Sequence, residues 1–130
     1  MNEEVINNLP SDAKKQFIKL ALKLSEKKTK KKVHDDFLSF VKHVWPEFIE
    51  GPHHKEIADK FNDIANGKIK RVIINMPPRH TKSEFASFLL PAWMVGRRPN
   101  LKIIQSTHTT ELAIRFGRKA KTLMDSPEYK

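Results

Sequence analysis

Met76-Pro-Pro-Arg-His-Thr-Lys-Ser83 gathers a guanidinium, an imidazole, an ammonium and two hydroxyls into eight consecutive residues of a 130-residue chain. Aligned on Lys82-Ser83, the segment fills a phosphate-binding loop of the pattern G-x-x-x-x-G-K-[ST], with Met76 and Thr81 in place of both glycines. Such a loop turns backbone N–H groups toward phosphate oxygens at the start of a helix, where the helix dipole adds positive potential. Pro77 and Pro78 lack an N–H, but those of His80, Thr81, Lys82 and Ser83 remain, and the two prolines hold Met76 and Pro77 extended. In that chemistry Lys82 reaches the β- and γ-phosphates, the Ser83 hydroxyl ligates Mg2+, and Arg79 stands beside the γ-phosphate. The competing reading is an ordinary proline-rich turn with a surface lysine.

Lys followed by Ser or Thr occurs three times, at Lys28-Thr29, Lys82-Ser83 and Lys121-Thr122, so the dipeptide alone carries little. Only Lys82-Ser83 lies between a β-branched run, Arg71-Val-Ile-Ile-Asn-Met76, and a helical pattern over about 82–95. Leu101-Lys-Ile-Ile-Gln-Ser106 reads as a second strand. Leu112, Ala113, Phe116, Ala120, Leu123 and Met124 then mark a helix capped by Thr109 or Thr110, with Pro127 beyond its end. Strand, helix, strand, helix implies an α/β fold with a parallel sheet and right-handed crossovers.

Upstream, Phe17, Leu20, Ala21 and Leu24 recur at helical spacing opposite a lysine face, and Lys27–Lys32 reads as a solvated linker or a contact to DNA or a partner. A second helix starts at Asp35 or Asp36, carries Phe37, Phe40, Val41 and Val44, and ends before Pro46. A third runs from about His54 to Ala65, with Ile57, Ala58, Phe61 and Ile64 on one face, and Asn66-Gly67 stops it. The domain reading is a basic helical segment over 1–50 and a nucleotide-binding portion over 51–130.

Twenty-five Lys and Arg against 15 Asp and Glu give a net charge of +10, which favours a polyanionic partner such as nucleic acid. With 0 cysteines, disulfide scaffolds and cysteine-ligated zinc or iron–sulfur sites are excluded. No apolar run approaches the roughly 20 residues a membrane span needs, and the start is acidic rather than signal-like, so the expectation is a cytoplasmic protein without a membrane partner.

The string Val72-Ile-Ile-Asn-Met-Pro-Pro-Arg-His-Thr-Lys-Ser-Glu84 resembles the variant Walker A segment of the large terminase subunits of tailed double-stranded DNA phages. Pro52-His-His54, Ser106-Thr-His108 and Ser126-Pro-Glu-Tyr129 support the likeness over roughly residues 40–130. The resemblance implies an incomplete P-loop NTPase preceded by helices: the ATP-binding part of a motor that drives DNA into a preformed capsid, joined in full-length members to an endonuclease. It implies Lys82 and Arg79 as catalytic groups and Pro78, Arg79, His80, Thr81, Lys82, Ser83 and Glu84 as the nucleotide-binding set. Ser83 is the implied metal ligand and ATP with Mg2+ the implied cofactors. Implied partners are double-stranded DNA, a small terminase subunit, a portal and like subunits in a ring, on the procapsid in a bacterial host.

No apolar strand ending in Asp-Glu follows Ser83, since Leu123-Met-Asp125 lies on a predicted helix; the expectation is a piece that binds ATP without completing hydrolysis. A non-catalytic basic nucleic-acid-binding module and a helicase-type ATPase fragment are the alternatives, though the latter usually keeps Gly where Thr81 stands. No upstream glutamine is placed to read adenine: Gln16 is far from the loop and Gln105 ends the second strand.

His53 and His54, about 100° apart on a helix, make a poor metal pair and suit a pocket edge or helix start. Trp45 and Phe48 could border adenine but fit a core better. Phe85, Phe88, Leu89 and Trp93 form the buried face of the helix after the loop. Arg115, Arg118, Lys119 and Lys121 read as a solvated face of the last helix, with contact to DNA or a neighbouring subunit as the alternative.

Overall fold

The computed structural model describes residues 10–129. Its elements are α1 (Ser11–Asp35), α2 (Phe37–Val44), α3 (Pro52–Ala65), α4 (Lys82–Glu84), a π-helical turn (Phe85–Leu89), α5 (Leu90–Arg97) and α6 (Thr110–Asp125). The chain divides into two compact units, residues 1–32 and 33–130, with the boundary inside α1.

The α/β expectation is corrected: among the described residues there is no strand and no sheet, only helices and connecting segments. The parallel-sheet P-loop architecture therefore does not describe this chain. Both runs read as strands are non-helical segments without a ladder. In the first, Val72, Ile74 and Met76 are half-buried while Arg71, Ile73 and Asn75 face solvent, so the alternation of a strand is there. Side-chain alternation does not supply a hydrogen-bonded neighbour, and no ladder forms without one. In the second run Ile104 is 97% exposed, so its apolar side chains mark no buried strand.

In the first unit the described residues from Ser11 onward belong to α1, which also corrects the linker reading, because Lys27–Lys32 are helical. Lys is an adequate helix former, and no Gly or Pro interrupts the run. Ile18, Leu20, Leu22 and Leu24 are each at least half exposed.

In the second unit the core gathers Phe37, Phe40 and Val41 of α2, Ile57, Ala58, Phe61 and Ala65 of α3, and Phe85, Leu89, Ala92 and Trp93 from the helical run after the loop. Phe37 is fully buried at its centre, its ring 5.2–5.4 Å from those of Phe61, Phe85 and Trp93 in edge-to-face arrangements. Trp93 satisfies its indole N–H on the Val33 carbonyl at 3.1 Å.

The start of α2 and the last turn of α3 are held together by polar groups. Asp36 Oδ2 accepts from Ser39 N and so caps α2, settling the choice between Asp35 and Asp36. Asn62 of α3 accepts the Phe37 N–H on Oδ1 and donates Nδ2 to Asp36 Oδ1.

After the loop, Leu90 N–H bonds the Phe85 carbonyl, an i→i−5 bond, one residue before Pro91. Pro91 has no N–H for the Ser87 carbonyl and its ring crowds that position, and a π turn is one way for a helix to absorb the mismatch. The wider turn leaves Phe85, Leu89, Ala92 and Trp93 on the buried side. Thr109 caps α6 by accepting from Leu112 N.

Candidate phosphate-binding loop

Between α3 and the helical run after it, the chain crosses the unit as an irregular segment that reaches Pro78 and turns sharply. Arg79 has φ 65° and Thr81 has φ 61°, the non-glycine residues with positive φ among those described. Each costs about 1–2 kcal/mol of steric strain, and a β-branched Thr there is the less usual case. The flanking His80 and Lys82 are not in that region, so the sign of φ alternates from 79 to 82. Alternating right- and left-handed residues bring successive backbone N–H groups to one side, the concavity that accommodates anions. The first turn bond of the following helix is Phe85 N–H to the Thr81 carbonyl. The N–H groups ahead of it lack helical acceptors, as at every helix start.

Lys82 folds over the loop, its Nζ donating to the Met76 carbonyl at 3.0 Å and lying 3.5 Å from that of Pro77. His80 donates Nδ1–H to the Pro78 carbonyl at 2.9 Å. Pro78, Arg79, His80 and Ser83 are exposed, while Thr81, Lys82 and Glu84 are half-buried. Among the described residues neither Arg79 nor Lys82 takes part in an ion pair with an acidic side chain.

Thr81 is clamped from α3. Gly51-Pro52 opens that helix with proline at its first position, where the missing N–H costs nothing. The Gly51 N–H donates to His54 Nδ1 at 2.9 Å, the role that Glu or Gln plays in a capping box. Because an N–H can only donate, Nδ1 is the acceptor and the imidazole proton sits on Nε2, which donates to Thr81 Oγ1 at 2.7 Å. His54 is 6% exposed, its ring 4.8 Å from that of Phe48 and 5.2 Å from that of Phe85. Burial lowers its pKa below the usual 6.5, helped by His53 and His80 and opposed by Glu50.

The three histidines draw together: the His53 ring lies 3.8 Å from His54 and 5.6 Å from His80. His53 Nε2 is buried without a hydrogen-bond partner. Among the described residues no three His, Asp or Glu side chains are arranged to hold a metal ion.

Glu84, one residue past Ser83, faces α6: Lys119 Nζ donates to both of its carboxylate oxygens at 2.8 Å. The sequence placed Lys119 on a solvated face with Arg115, Arg118 and Lys121; those three are exposed, while Lys119 is drawn into this pair. Nothing local in the sequence signals a pair 35 residues apart. Trp45 and Phe48 pack against the core, with Phe48 forming one wall of the His54 site.

No helix among the described residues is long and apolar enough to cross a membrane. Comparison of the chain with known protein families, with curated proteins and with solved structures finds no match.

Proposed function

We propose that the loop over residues 78–84 binds the phosphates of Mg-ATP through its main-chain N–H groups and the side chains of Arg79, Lys82 and Ser83, and that the chain serves as the ATP-binding part of a phage DNA-packaging motor of the large-terminase kind. The observation that carries the binding step is the alternation of positive φ at Arg79 and Thr81 immediately before Lys82-Ser83 at a helix start. That geometry offers main-chain N–H groups, a dipole end and a lysine to one anion. The assignment to a packaging motor rests on the likeness of Val72–Glu84 to the terminase loop.

On binding, the Lys82 ammonium exchanges the Met76 carbonyl for phosphate oxygens, a stronger acceptor because it is charged. The exposed Ser83 hydroxyl would hold Mg2+ and Arg79 would face the terminal phosphate, so that these residues orient the nucleotide and offset its charge. Mg2+, when bound, would supply positive charge that offsets the charge of the phosphates.

Titration with Mg-ATP, read by calorimetry or by thermal shift, tests the binding step. Saturable binding lost in Lys82→Ala and weakened in the absence of Mg2+ is the expected result. Binding that is absent, or indifferent to Lys82, sinks it.

A second reading draws on α1, where Lys15, Lys19, Lys23, Lys27, Lys28, Lys30, Lys31 and Lys32 are all exposed. A basic module that binds nucleic acid without nucleotide predicts DNA affinity that falls steeply with salt and ignores ATP. Substituting Lys27, Lys28, Lys30, Lys31 and Lys32 with Ala should then flatten the salt slope while leaving ATP binding alone.

A further inference from the structure

We infer that His54 is a positioning residue for the phosphate-binding loop: its Nε2–H, held by Thr81 Oγ1, keeps Thr81 in the left-handed conformation that sets the N–H groups of Lys82 and Ser83 ahead of the anion. The inference rests on the ATP-binding reading above and adds to it the device that shapes the site.

Three observations converge on it. Thr81 has φ 61° and ψ 2°, where its side chain makes no capping hydrogen bond to its own helix. A threonine at a helix start ordinarily takes an extended conformation and caps with its hydroxyl, as Thr109 does at φ −134°. At Thr81 the hydroxyl accepts from His54 instead, and the conformation follows the donor. Secondly, His54 cannot turn to offer its other nitrogen, because Nδ1 is engaged by the Gly51 N–H. Thirdly, the ring stands between Phe48 and Phe85, so the donor's position is referred to the core rather than to the exposed loop. The loop thus obtains with threonine and a distant histidine what glycine would supply through backbone freedom.

This account predicts a rescue that a general packing role would not give. His54→Ala and, separately, Thr81→Val remove the bond from either side and should each weaken Mg-ATP binding roughly tenfold, the effect of one hydrogen bond. Thr81→Gly introduced into His54→Ala should recover most of the loss, because glycine adopts φ 61° without strain. Thr81→Val changes a half-buried side chain while sparing His54, which keeps the proposal testable if His54→Ala folds poorly. Backbone amide shifts of residues 79–83, followed by NMR in the full chain, should move in both single variants, whereas the Gly51 amide, which donates to His54 Nδ1, should move in His54→Ala and stay in place in Thr81→Val.

Lys82-dependent binding that His54→Ala and Thr81→Val leave unaltered overturns the positioning role alone. Failure of glycine to rescue overturns it as well, by showing that His54 acts through packing. Absence of Lys82-dependent binding in the unsubstituted chain overturns the ATP reading and this inference with it.

Discussion

Lys119 Nζ on α6 sits 2.8 Å from both carboxylate oxygens of Glu84, one residue beyond the Lys82-Ser83 pair. The contact spans 35 residues and places an acid that would repel phosphate under the control of a cation from another helix. Both side chains are about one-third exposed, so the direct gain in stability is small. The larger consequence is electrostatic: an unpaired Glu84 would stand near the anion the loop is proposed to hold.

Lys119→Ala should therefore weaken Mg-ATP binding several-fold while lowering stability by less than about 1 kcal/mol. Adding Glu84→Gln should restore binding, since the repelling charge is gone. Calorimetric titration of the three variants with denaturant melts alongside checks both statements, and equal affinity in Lys119→Ala and the parent would refute the first.

Stability should fall with acidification through the range below 6.5, because His54 binds its proton less readily folded than unfolded. The sign follows from proton counts: between the lowered folded value and 6.5 the unfolded chain carries the extra proton, so stability rises with pH there and levels off above it. Protonating Nδ1 also removes the acceptor of the Gly51 N–H. Urea midpoints from pH 7.5 to 5 should show a steeper decline in the parent than in His54→Gln; parallel curves would remove His54 from the account.

Asn62 bonds Phe37 N and Asp36 Oδ1 at once, so Asn62→Ala takes its acceptor from the Phe37 N–H and one donor from the capping carboxylate. The expected loss is about 1–3 kcal/mol. Asp36→Ala should cost about 0.5–2 kcal/mol, and the double variant less than the sum, because the two side chains share one network. Additive losses in a double-mutant cycle would show that they act independently.

A Cβ at Gly96 would lie 2.8 Å from Tyr129 Oη, which donates to the Ala92 carbonyl at 2.7 Å. Gly96→Ala should be destabilising by about 1 kcal/mol in the parent, where the hydroxyl must leave its acceptor. In a Tyr129→Phe background the clash is gone and alanine's helix propensity, worth up to about 1 kcal/mol, should make the same substitution stabilising. Thermal melts of the four proteins test the reversal of sign.

Helix-forming patterns were legible because they are local. Phe37, Phe40 and Val41, then Ile57, Ala58 and Phe61, repeat at helical spacing, and the structure buries all six. Stops and caps at Asp36, Asn66-Gly67 and Thr109 are likewise written within a few residues of where they act. The strands were misread for the opposite reason: Val72, Ile74 and Met76 show a strand's alternation, but a ladder needs a neighbour that side-chain pattern does not specify.

The chemical inventory of the loop, Arg79, His80, Thr81, Lys82 and Ser83 in consecutive positions with two prolines before them, is read directly from residue identity and order. The conformation those residues take depends on contacts from distant parts of the chain. Thr81 adopts φ 61° with His54, 27 positions earlier, hydrogen-bonded to its hydroxyl, and Glu84 is neutralised from α6. Both depend on groups brought together by burial of the aromatic core around Phe37 and Phe85, and burial is a property of the whole fold rather than of any segment.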